Sequence, residues 1–596
     1  MKKILALVFA GFMGFANTSK AEIKLNPYPQ SVKENGDSIQ LTGSFRVYGF
    51  DDIKSNIIKN VIDNYRINED GILLRIGTKD SESIKKFKKK IPNCKEGYYL
   101  SVKDNEIVIA GYDNRGLFYG LQTMKLLIDR NSVNDRGNIL LPEVEIVDWP
   151  DVAVRGVVEG FYGQPWSHSA RMKLIDFYSK YKLNTYIYGP KNDSYHSTPK
   201  WREPYPNKEA EQLKELVSYA KEKEVDFVWA IHPGRDIKWT EEDRDKLIYK
   251  FESMYDLGVR AFAVFFDDIS GKGTDAEMQV KLLNYINKNF IKRKGDIASL
   301  IMCPTEYNRS RRKVETHYLE TLGDKLDSDI HIMWTGDRAL SDITYENLKW
   351  IQELIKRNPY IWWNYPVTDF SNDRILMGEV YGVDPSIKTE TSGFVSNPME
   401  YPESSKLALY SIAGYTWNID SYNAKQSWLE SIEWTLPDAS EALECLATHS
   451  SATGVEHFPR KESENIKLPA ERFLNNFKKD RSWNENDFND LYNEFVRMKT
   501  AADELDLSES NEDFISEIHP WIVSLDLWSQ MGLEVLELAK AIRYKNTLVY
   551  NKKLRHLKIL ESRIEKNNLK VAAGSATLGT SVIKPFIEEI MKISIE

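Results

Sequence analysis

Residues 261–268 read AFAVFFDD, an apolar run that ends in two carboxylates. Apolar, β-branched or aromatic runs of this kind recur through the middle of the chain at intervals of about 28 to 43 residues. The eight runs are Gly156–Tyr162, Asn184–Tyr188, Asp226–Ile231, Ala261–Phe266, Ser299–Met302, Ile330–Trp334, Tyr360–Trp363 and Gly393–Val395. Amphipathic stretches between most of them, such as 209–223 and 241–255, predict intervening helices. Eight strand–helix units predict an α/β fold that closes into a (β/α)8 TIM barrel.

An open, doubly wound sheet is the alternative arrangement for alternating strands and helices. It usually needs fewer strands and often carries a glycine-rich phosphate-binding turn. No such turn is present among the eight runs, and GxxxxGK[ST] occurs nowhere in the sequence. The barrel is therefore the favoured prediction.

The segments on either side of the barrel have different patterns. Tyr98–Val102 and Ile107–Ala110 predict two paired strands, and Leu117–Ile128 has the periodicity of a helix. After Pro437, Leu, Glu and Lys recur at helical spacing with few strand signals. We therefore predict an N-terminal α+β domain over residues 22–148, the (β/α)8 barrel over 149–436 and a C-terminal helical bundle over 437–596.

The first 21 residues have the three parts of a secretory signal. Lys2 and Lys3 form a basic start, Ile4–Phe15 is apolar, and Ser19–Ala21 is a small-x-Ala cleavage site. A membrane anchor is the alternative, but the apolar stretch is shorter than the ~20 residues that a spanning helix needs. The sequence predicts export to the periplasm or beyond, with no membrane attachment after cleavage.

Composition and charge exclude several classes of function. The formal net charge is −9, and no Lys/Arg run is interleaved with aromatic residues, which disfavours a nucleic-acid partner. Cys94, Cys303 and Cys445 lie far apart, and neither CxxC nor HExxH occurs. We therefore predict no cofactor and no structural or catalytic metal site.

Polar, aromatic and glycine residues follow nearly every predicted strand, at the barrel edge where active sites lie. Donors and acceptors mixed with aromatic faces are typical of a sugar-binding pocket. The residues at the C-terminal ends of the eight runs are 159–163, 188–191, 232–234, 267–268, 304–308, 335–337, 363–366 and 397–398.

Asp267 and Asp268 are the candidate catalytic pair. Neighbours in a continuing strand point to opposite faces, but a turn at the strand's end allows both carboxylates to enter one pocket. Two adjacent carboxylates repel, so we expect the pKa of one of them to be raised, leaving an acid beside a base. A helix cap or turn, or half of a divalent metal site, remains an alternative for Asp-Asp at this position.

Four motifs in order resemble glycoside hydrolase family 84, the family of the bacterial relatives of O-GlcNAc hydrolase, sometimes labelled hyaluronidases. They are Val157–Gly163, Tyr186–Lys191, Val264–Ile269 and Cys303–Tyr307, and the resemblance extends from the N-terminal domain through the helical block. It implies an exo-acting, retaining β-N-acetylglucosaminidase that removes terminal GlcNAc from glycans or glycoproteins. The substrate's own 2-acetamido oxygen would be the nucleophile, giving an oxazoline intermediate.

The resemblance also assigns residue roles. Asp267 would accept the acetamido N–H and Asp268 would act as general acid and then base. Gly160 would let the backbone approach a sugar hydroxyl, and Tyr307 would position the acetamido group. The other substrate-binding residues that it implies are Lys191, Asp369 and Asn397 at hydroxyls, Asn364 near the acetamido or hydroxyl region, and Thr335 and Trp362 in the N-acetyl pocket.

Two other functions stay open on sequence alone: an endo-acting polysaccharide lyase or hydrolase, and a non-catalytic sugar-binding protein. An intact acid pair disfavours a pure binder, and hydroxyl ligands around the non-reducing end favour a closed, exo-acting pocket.

Close family members carry further small β-domains after the bundle, and no counterpart is seen before Glu596. The sequence identifies neither the natural glycan nor the oligomeric state. His232 follows a predicted strand but is interpreted as structural.

Overall fold

The computed structural model describes residues 23–53, 55–63, 67–135, 138–567 and 576–595. The predicted secretory signal, residues 1–21, lies outside this part of the chain. The described residues form two compact units, one of 23–25 and 31–148 and the other of 26–30 and 149–595. No helix among them is both long and apolar enough to cross a bilayer.

The first unit is a mixed sheet with helices. Its strands are β1 (Ser31–Leu41), β2 (Phe45–Tyr48), β3 (Ile72–Thr78), β4 (Tyr98–Lys103), β5 (Glu106–Gly111), β6 (Val133–Asp135) and β7 (Asn138–Asp148), and its helices are α1 (Asn56–Asp63) and α2 (Asn114–Asn131). The strand order is β1-β7-β4-β5-β3-β2, with β6 paired to β7. The predicted hairpin is confirmed, because β4 and β5 pair antiparallel with Tyr98 opposite Gly111. The predicted helix is α2, whose N-terminus is capped by Asp113.

The second unit contains a closed, all-parallel eight-stranded barrel, which confirms the predicted fold class. Its strands are β8 (Arg155–Glu159), β9 (Thr185–Tyr188), β10 (Asp226–Ile231), β11 (Ala261–Phe265), β12 (Ile301–Cys303), β13 (His331–Trp334), β14 (Tyr360–Trp363) and β15 (Gly393–Ser396). All eight correspond to the predicted runs. Strand β8 ends at Glu159, before the end of the predicted run Gly156–Tyr162. The N–H of Gly160 donates to the carbonyl of Val158 at 2.9 Å and so does not continue the pairing with the neighbouring strands.

The interior of the barrel is filled by alternate residues of the strands. Val158, Val228, Ala263, Phe265 and Trp362 belong to one buried cluster inside it. Trp363, one position further along its strand, belongs instead to the large cluster between the barrel and its surrounding helices. The two-residue period of a strand therefore directs only the first of the two tryptophans inward.

Helices surround the barrel and continue beyond it. Around the barrel lie α3 (His168–Lys180), α4 (Asn207–Glu222), α5 (Glu241–Asp256), α6 (Ala276–Ile286), α7 (Lys292–Lys294), α8 (Tyr318–Lys325), α9 (Tyr345–Ile355), α10 (Ile387–Glu390) and α11 (Pro402–Trp417). Helix α12 (Ala424–Thr435) follows the barrel strands but lies inside the range predicted for the barrel, 149–436. The region predicted as a helical bundle, 437–596, contains α13 (Ser440–Thr448), α14 (Glu464–Asp480), α15 (Glu485–Asp506), α16 (Glu512–Arg543), α17 (Thr547–Glu565) and α18 (Ile583–Ile595). Both groups belong to the same compact unit.

Candidate active site

The two aspartates follow β11 at the carboxyl end of the barrel. Asp268 has a φ of 52°, in the left-handed region that few non-glycine residues adopt. The chain therefore turns sharply where the strand ends. This turn gives the neighbouring carboxylates separate sets of partners instead of opposite faces of one strand.

Asp267 is almost completely buried, with 5% of its surface exposed. The ammonium group of Lys191 binds its Oδ2, and the ring of His232 donates from Nε2 to its backbone carbonyl at 2.7 Å. Burial alone would raise the pKa of Asp267, but Lys191 and His232 hold that pKa well below its usual range. Asp267 is therefore an anion throughout the physiological pH range.

The other carboxylate oxygen of Asp267 is available to a ligand. Within the described part of the chain, Oδ1 has no hydrogen-bond partner. His232 Nε2 lies 3.5 Å from it and is already committed to the backbone carbonyl. A buried anionic oxygen without a donor is costly, so the site favours a ligand that brings an N–H or O–H to this atom.

Asp268 is held by three side chains from two loops, Tyr162 after β8 and Tyr307 and Arg311 after β12. Tyr307 donates its hydroxyl to Oδ1 at 2.8 Å, and Tyr162 donates to Oδ2 at 3.1 Å. Arg311 also contacts Oδ1, at 2.6 Å. Burial first, and then the charge of Asp268, raise the pKa of both tyrosines, so each remains a protonated donor.

Trp362, Asn364 and Asn397 form a second polar group next to the acids. The indole N–H of Trp362 donates to Asn364 Oδ1 at 2.8 Å, and Asn397 Nδ2 donates to the same oxygen at 2.9 Å. Asn397 Oδ1 in turn accepts the N–H of Gly160 at 3.3 Å. A Cβ on Gly160 would lie 2.3 Å from the Trp362 ring, so this position requires glycine because of the indole.

The remaining predicted residues lie at the same end of the barrel. Asp369, in the loop after β14, accepts the N–H of Tyr162 at 2.8 Å, and burial raises its pKa. Thr335 is buried after β13, where its N–H donates to the Tyr307 carbonyl at 2.9 Å and its hydroxyl to the Arg338 carbonyl at 2.9 Å. Lys191, expected at a sugar hydroxyl, instead pairs with Asp267 here.

Three residues of this site were given no functional role from the sequence. Tyr162 lies inside a recognised motif, but its contact with Asp268 depends on how two distant loops meet. Arg311 lies in a basic run that resembles a solvated loop. His232 was interpreted as structural, although its position directly after a strand was the signal that it faces the site.

The chain is similar to known proteins over nearly all of its length. A family model described as beta-N-acetylglucosaminidase matches residues 155–448, and one for the bacterial GH84 post-catalytic domain matches 462–591. Domain 2 of glycosyl hydrolase family 20 matches residues 22–149. The Protein O-GlcNAcase of Mus musculus and that of Rattus norvegicus are each 34% identical over 282 residues. This stretch is 45% of the present chain and 30% of each relative, so the chain matches under a third of their length.

Solved structures extend the similarity to the whole fold. The structure of CpGH84D has a TM-score of 0.84 with 31% identity and covers 96% of this chain and 99% of its own. A mutant of the O-GlcNAc hydrolase of Thermobaculum terrenum has a TM-score of 0.66 with 27% identity, covering 75% and 96%. CpGH84B has a TM-score of 0.86 with 32% identity, and the match covers 96% of this chain and 100% of that one. The chain belongs to glycoside hydrolase family 84.

Proposed function

We propose that the protein is an exo-acting, retaining β-N-acetylglucosaminidase that removes terminal β-linked GlcNAc, including O-GlcNAc on glycoproteins. The family assignment supports a glycosidase, and its catalytic model carries the description beta-N-acetylglucosaminidase. The observation that carries the proposal is the unpartnered Oδ1 of Asp267, a buried anionic acceptor beside a second carboxylate. Such an oxygen would accept a hydrogen bond from the N–H of an acetamido group.

In the first step, the acetamido carbonyl oxygen of the substrate attacks the anomeric carbon. Asp267 accepts the acetamido N–H and stabilises the positive charge that develops on the closing ring. The bond to the leaving oxygen breaks, and Asp268 gives that oxygen its proton. The products of this step are the protonated leaving group and an N-protonated oxazoline (an oxazolinium ion), whose N–H stays hydrogen-bonded to the Asp267 carboxylate.

In the second step, Asp268 removes a proton from water, which attacks the same carbon and opens the oxazoline. Two attacks on one carbon retain the anomeric configuration. A conventional retaining glycosidase instead uses a protein carboxylate as nucleophile, about 5 Å from the acid across the bond. The very low pKa of Asp267 suits a charge stabiliser better than a nucleophile, because a strongly stabilised anion attacks poorly.

The other pocket residues are proposed to bind the sugar. Asp369 and Asn397 would hold hydroxyls at the non-reducing end, with Lys191 shared between Asp267 and a hydroxyl. Trp362 and Thr335 would enclose the acetyl methyl group, and the remaining contacts would come from Asn364, Tyr307 and the backbone at Gly160. The same proposal includes export through residues 1–21, which N-terminal sequencing of the secreted or periplasmic protein would test.

Aryl GlcNAc substrates with zero to three fluorines on the acetyl group test the mechanism. If the carbonyl oxygen is the nucleophile, kcat/KM should fall steeply with each fluorine, because fluorine withdraws electron density from that oxygen. A non-hydrolysable thiazoline should bind tightly, because it resembles the cyclised intermediate. A flat fluorine series, together with a glycosyl adduct on Asp267 found by mass spectrometry, would contradict the mechanism but not the glycosidase activity.

Product analysis on a GlcNAc-terminated polymer tests the mode of action. Release of free GlcNAc from the non-reducing end alone is the expected result. Internal cleavage with a rapid fall in chain length would identify the endo-acting alternative. Tight sugar binding with no turnover of an aryl GlcNAc would instead support a pure binding protein.

A further inference from the structure

Arg311 is the charged residue of the site to which the proposed mechanism gives no task. Its side chain is 44% exposed, while its guanidinium reaches Asp268 Oδ1 at 2.6 Å. The guanidinium also lies over the ring of Tyr307, 4.6 Å from the centroid. It therefore borders both solvent and the proposed general acid.

The turn that carries Arg311 is fixed from several directions. Arg309–Arg311 forms a short 3-10 turn, which Asn308 caps by accepting the N–H of Arg311 at 3.1 Å. The N–H groups of Arg309 and Ser310 bind the carbonyls of the loop after β13, at 3.1 and 2.9 Å. The guanidinium is thus delivered to Asp268 by an ordered backbone.

Neighbouring basic residues have other partners. Arg309 lies 3.7 Å from Asp337, and Arg312 pairs with Glu320 at 2.5 Å. Of the three arginines in this run, only Arg311 is recorded in contact with Asp268 within the described part of the chain. The charge of Arg311 is therefore balanced by Asp268, the residue that must carry a proton in the proposed mechanism.

Protonation of Asp268 removes the negative charge that pairs with Arg311. The guanidinium then remains as a half-exposed cation beside the leaving oxygen, because the acid that it contacts is the one that protonates this oxygen. Whatever is attached to the leaving oxygen lies on the same side. A carboxylate on the leaving group would restore the lost ion pair at the moment when the acid is in its working form.

We propose that Arg311 is a specificity-determining residue that favours leaving groups bearing a carboxylate near the scissile bond. This inference rests on the proposed function, since it assigns the leaving-group side from the role of Asp268. Charge-assisted contacts at a half-exposed position predict that a carboxylate on the leaving group raises kcat/KM about three- to tenfold. The preference should shrink at high ionic strength, where exposed charge pairs are screened.

Aryl GlcNAc substrates with a ring carboxylate or the matched carboxamide test the proposal in the full-length protein. A series of neutral aryl substrates first gives the dependence of kcat/KM on leaving-group acidity, so that the effect of charge is separated from acidity. Wild-type enzyme should cleave the carboxylate substrate faster than this line predicts. In Arg311→Gln, kcat/KM for the carboxylate substrate should fall onto the line given by the neutral substrates. In Arg311→Glu, it should fall below that line. Arg309→Gln, in the same turn, is the matched control and should retain the preference.

The outcomes separate this inference from the proposed function. If wild-type enzyme cleaves the neutral substrates but the carboxylate substrate lies on their line, Arg311 has no role in specificity and the glycosidase assignment stands. The same conclusion follows if Arg311→Gln keeps the full preference with its melting temperature unchanged. If no aryl GlcNAc is cleaved, both the function and the inference are overturned.

Discussion

At the scale of single residues, different roles are proposed for the two aspartates because their partners differ. Asp267 is enclosed by a lysine and a histidine, whereas Asp268 is contacted by two phenols and an arginine. Asp268→Asn should lower kcat about 100- to 10,000-fold for substrates with poor leaving groups, because no proton reaches the departing oxygen. Activated aryl substrates should lose far less, because their leaving groups need little protonation. Equal losses on both substrate types would remove Asp268 from the acid role.

His232 gives a second prediction at this scale. His232→Phe keeps an aromatic ring but removes the N–H that donates to the Asp267 carbonyl at 2.7 Å. The buried carbonyl would lose its donor, which costs ~1–3 kcal/mol of unfolding free energy. We also expect kcat/KM and thiazoline affinity to fall together by about tenfold, the effect of ~1.4 kcal/mol. His331→Phe, at the opposite end of the barrel, should leave both unchanged. A stability loss without any change in thiazoline affinity would make His232 purely structural.

At the scale of elements, the sequence predicted the eight strands of the barrel, and it placed the candidate site residues at the end of the barrel where the structure has them. Apolar runs give the strands, and the parallel arrangement then places their polar ends at one edge of the barrel. The contacts of Arg311 and His232 could not be predicted in this way, because they depend on where loops from different strands meet. The choice between Trp362 and Trp363 also depended on the exact position where β14 begins. Periodicity locates elements to within a few residues, whereas a site is decided by single positions.

A buried ionic group links three elements of the helical region. His449, at the end of α13, contacts Glu494 of α15 at 2.8 Å and Ser463, before α14, at 2.8 Å. Arg497 contacts the same carboxylate at 2.8 Å. Burial alone would raise the pKa of Glu494, but His449 and Arg497 lower it to about 2. The folded state therefore binds the proton of Glu494 more weakly than the unfolded state does.

The lowered pKa of Glu494 predicts a pH dependence of stability. The carboxylate stabilises the fold above its unfolded pKa of about 4.3, and this contribution is lost as pH falls through that value toward 2. Glu494→Gln should lower the free energy of unfolding at pH 7, by an amount on the order of 2–3 kcal/mol. Urea unfolding at pH 7, 4 and 3 should show the difference between wild type and variant shrinking with acidity. A difference that stays constant with pH would mean that the ionisation of Glu494 has no part in stability.

At the scale of the whole molecule, the helical region contacts the loop that carries Asp369, a residue of the proposed active site. The loop after β14 carries Asp369, and a few residues further its Arg374 donates to the Ala452 carbonyl and to Thr580 Oγ1, each at 3.1 Å. Asp373 accepts the N–H of Thr577 at 2.9 Å. The region after the barrel therefore supports an element of the proposed active site as well as packing against the barrel.

This connection predicts that substitutions far from the acids change substrate binding. Arg374→Met keeps an unbranched aliphatic stem but removes the guanidinium and its hydrogen bonds to Ser371, Ala452 and Thr580, which frees the loop that holds Asp369. We expect KM for an aryl GlcNAc to rise about tenfold with a smaller change in kcat, because Asp369 is proposed to bind a hydroxyl in both ground and transition states. Thr580→Val removes one of the acceptors of Arg374, together with the hydroxyl that donates to Glu462 at 3.2 Å, and should raise KM less. An unchanged KM in Arg374→Met, measured at a temperature where the variant is fully folded, would show that the helical region stabilises the barrel without shaping its pocket.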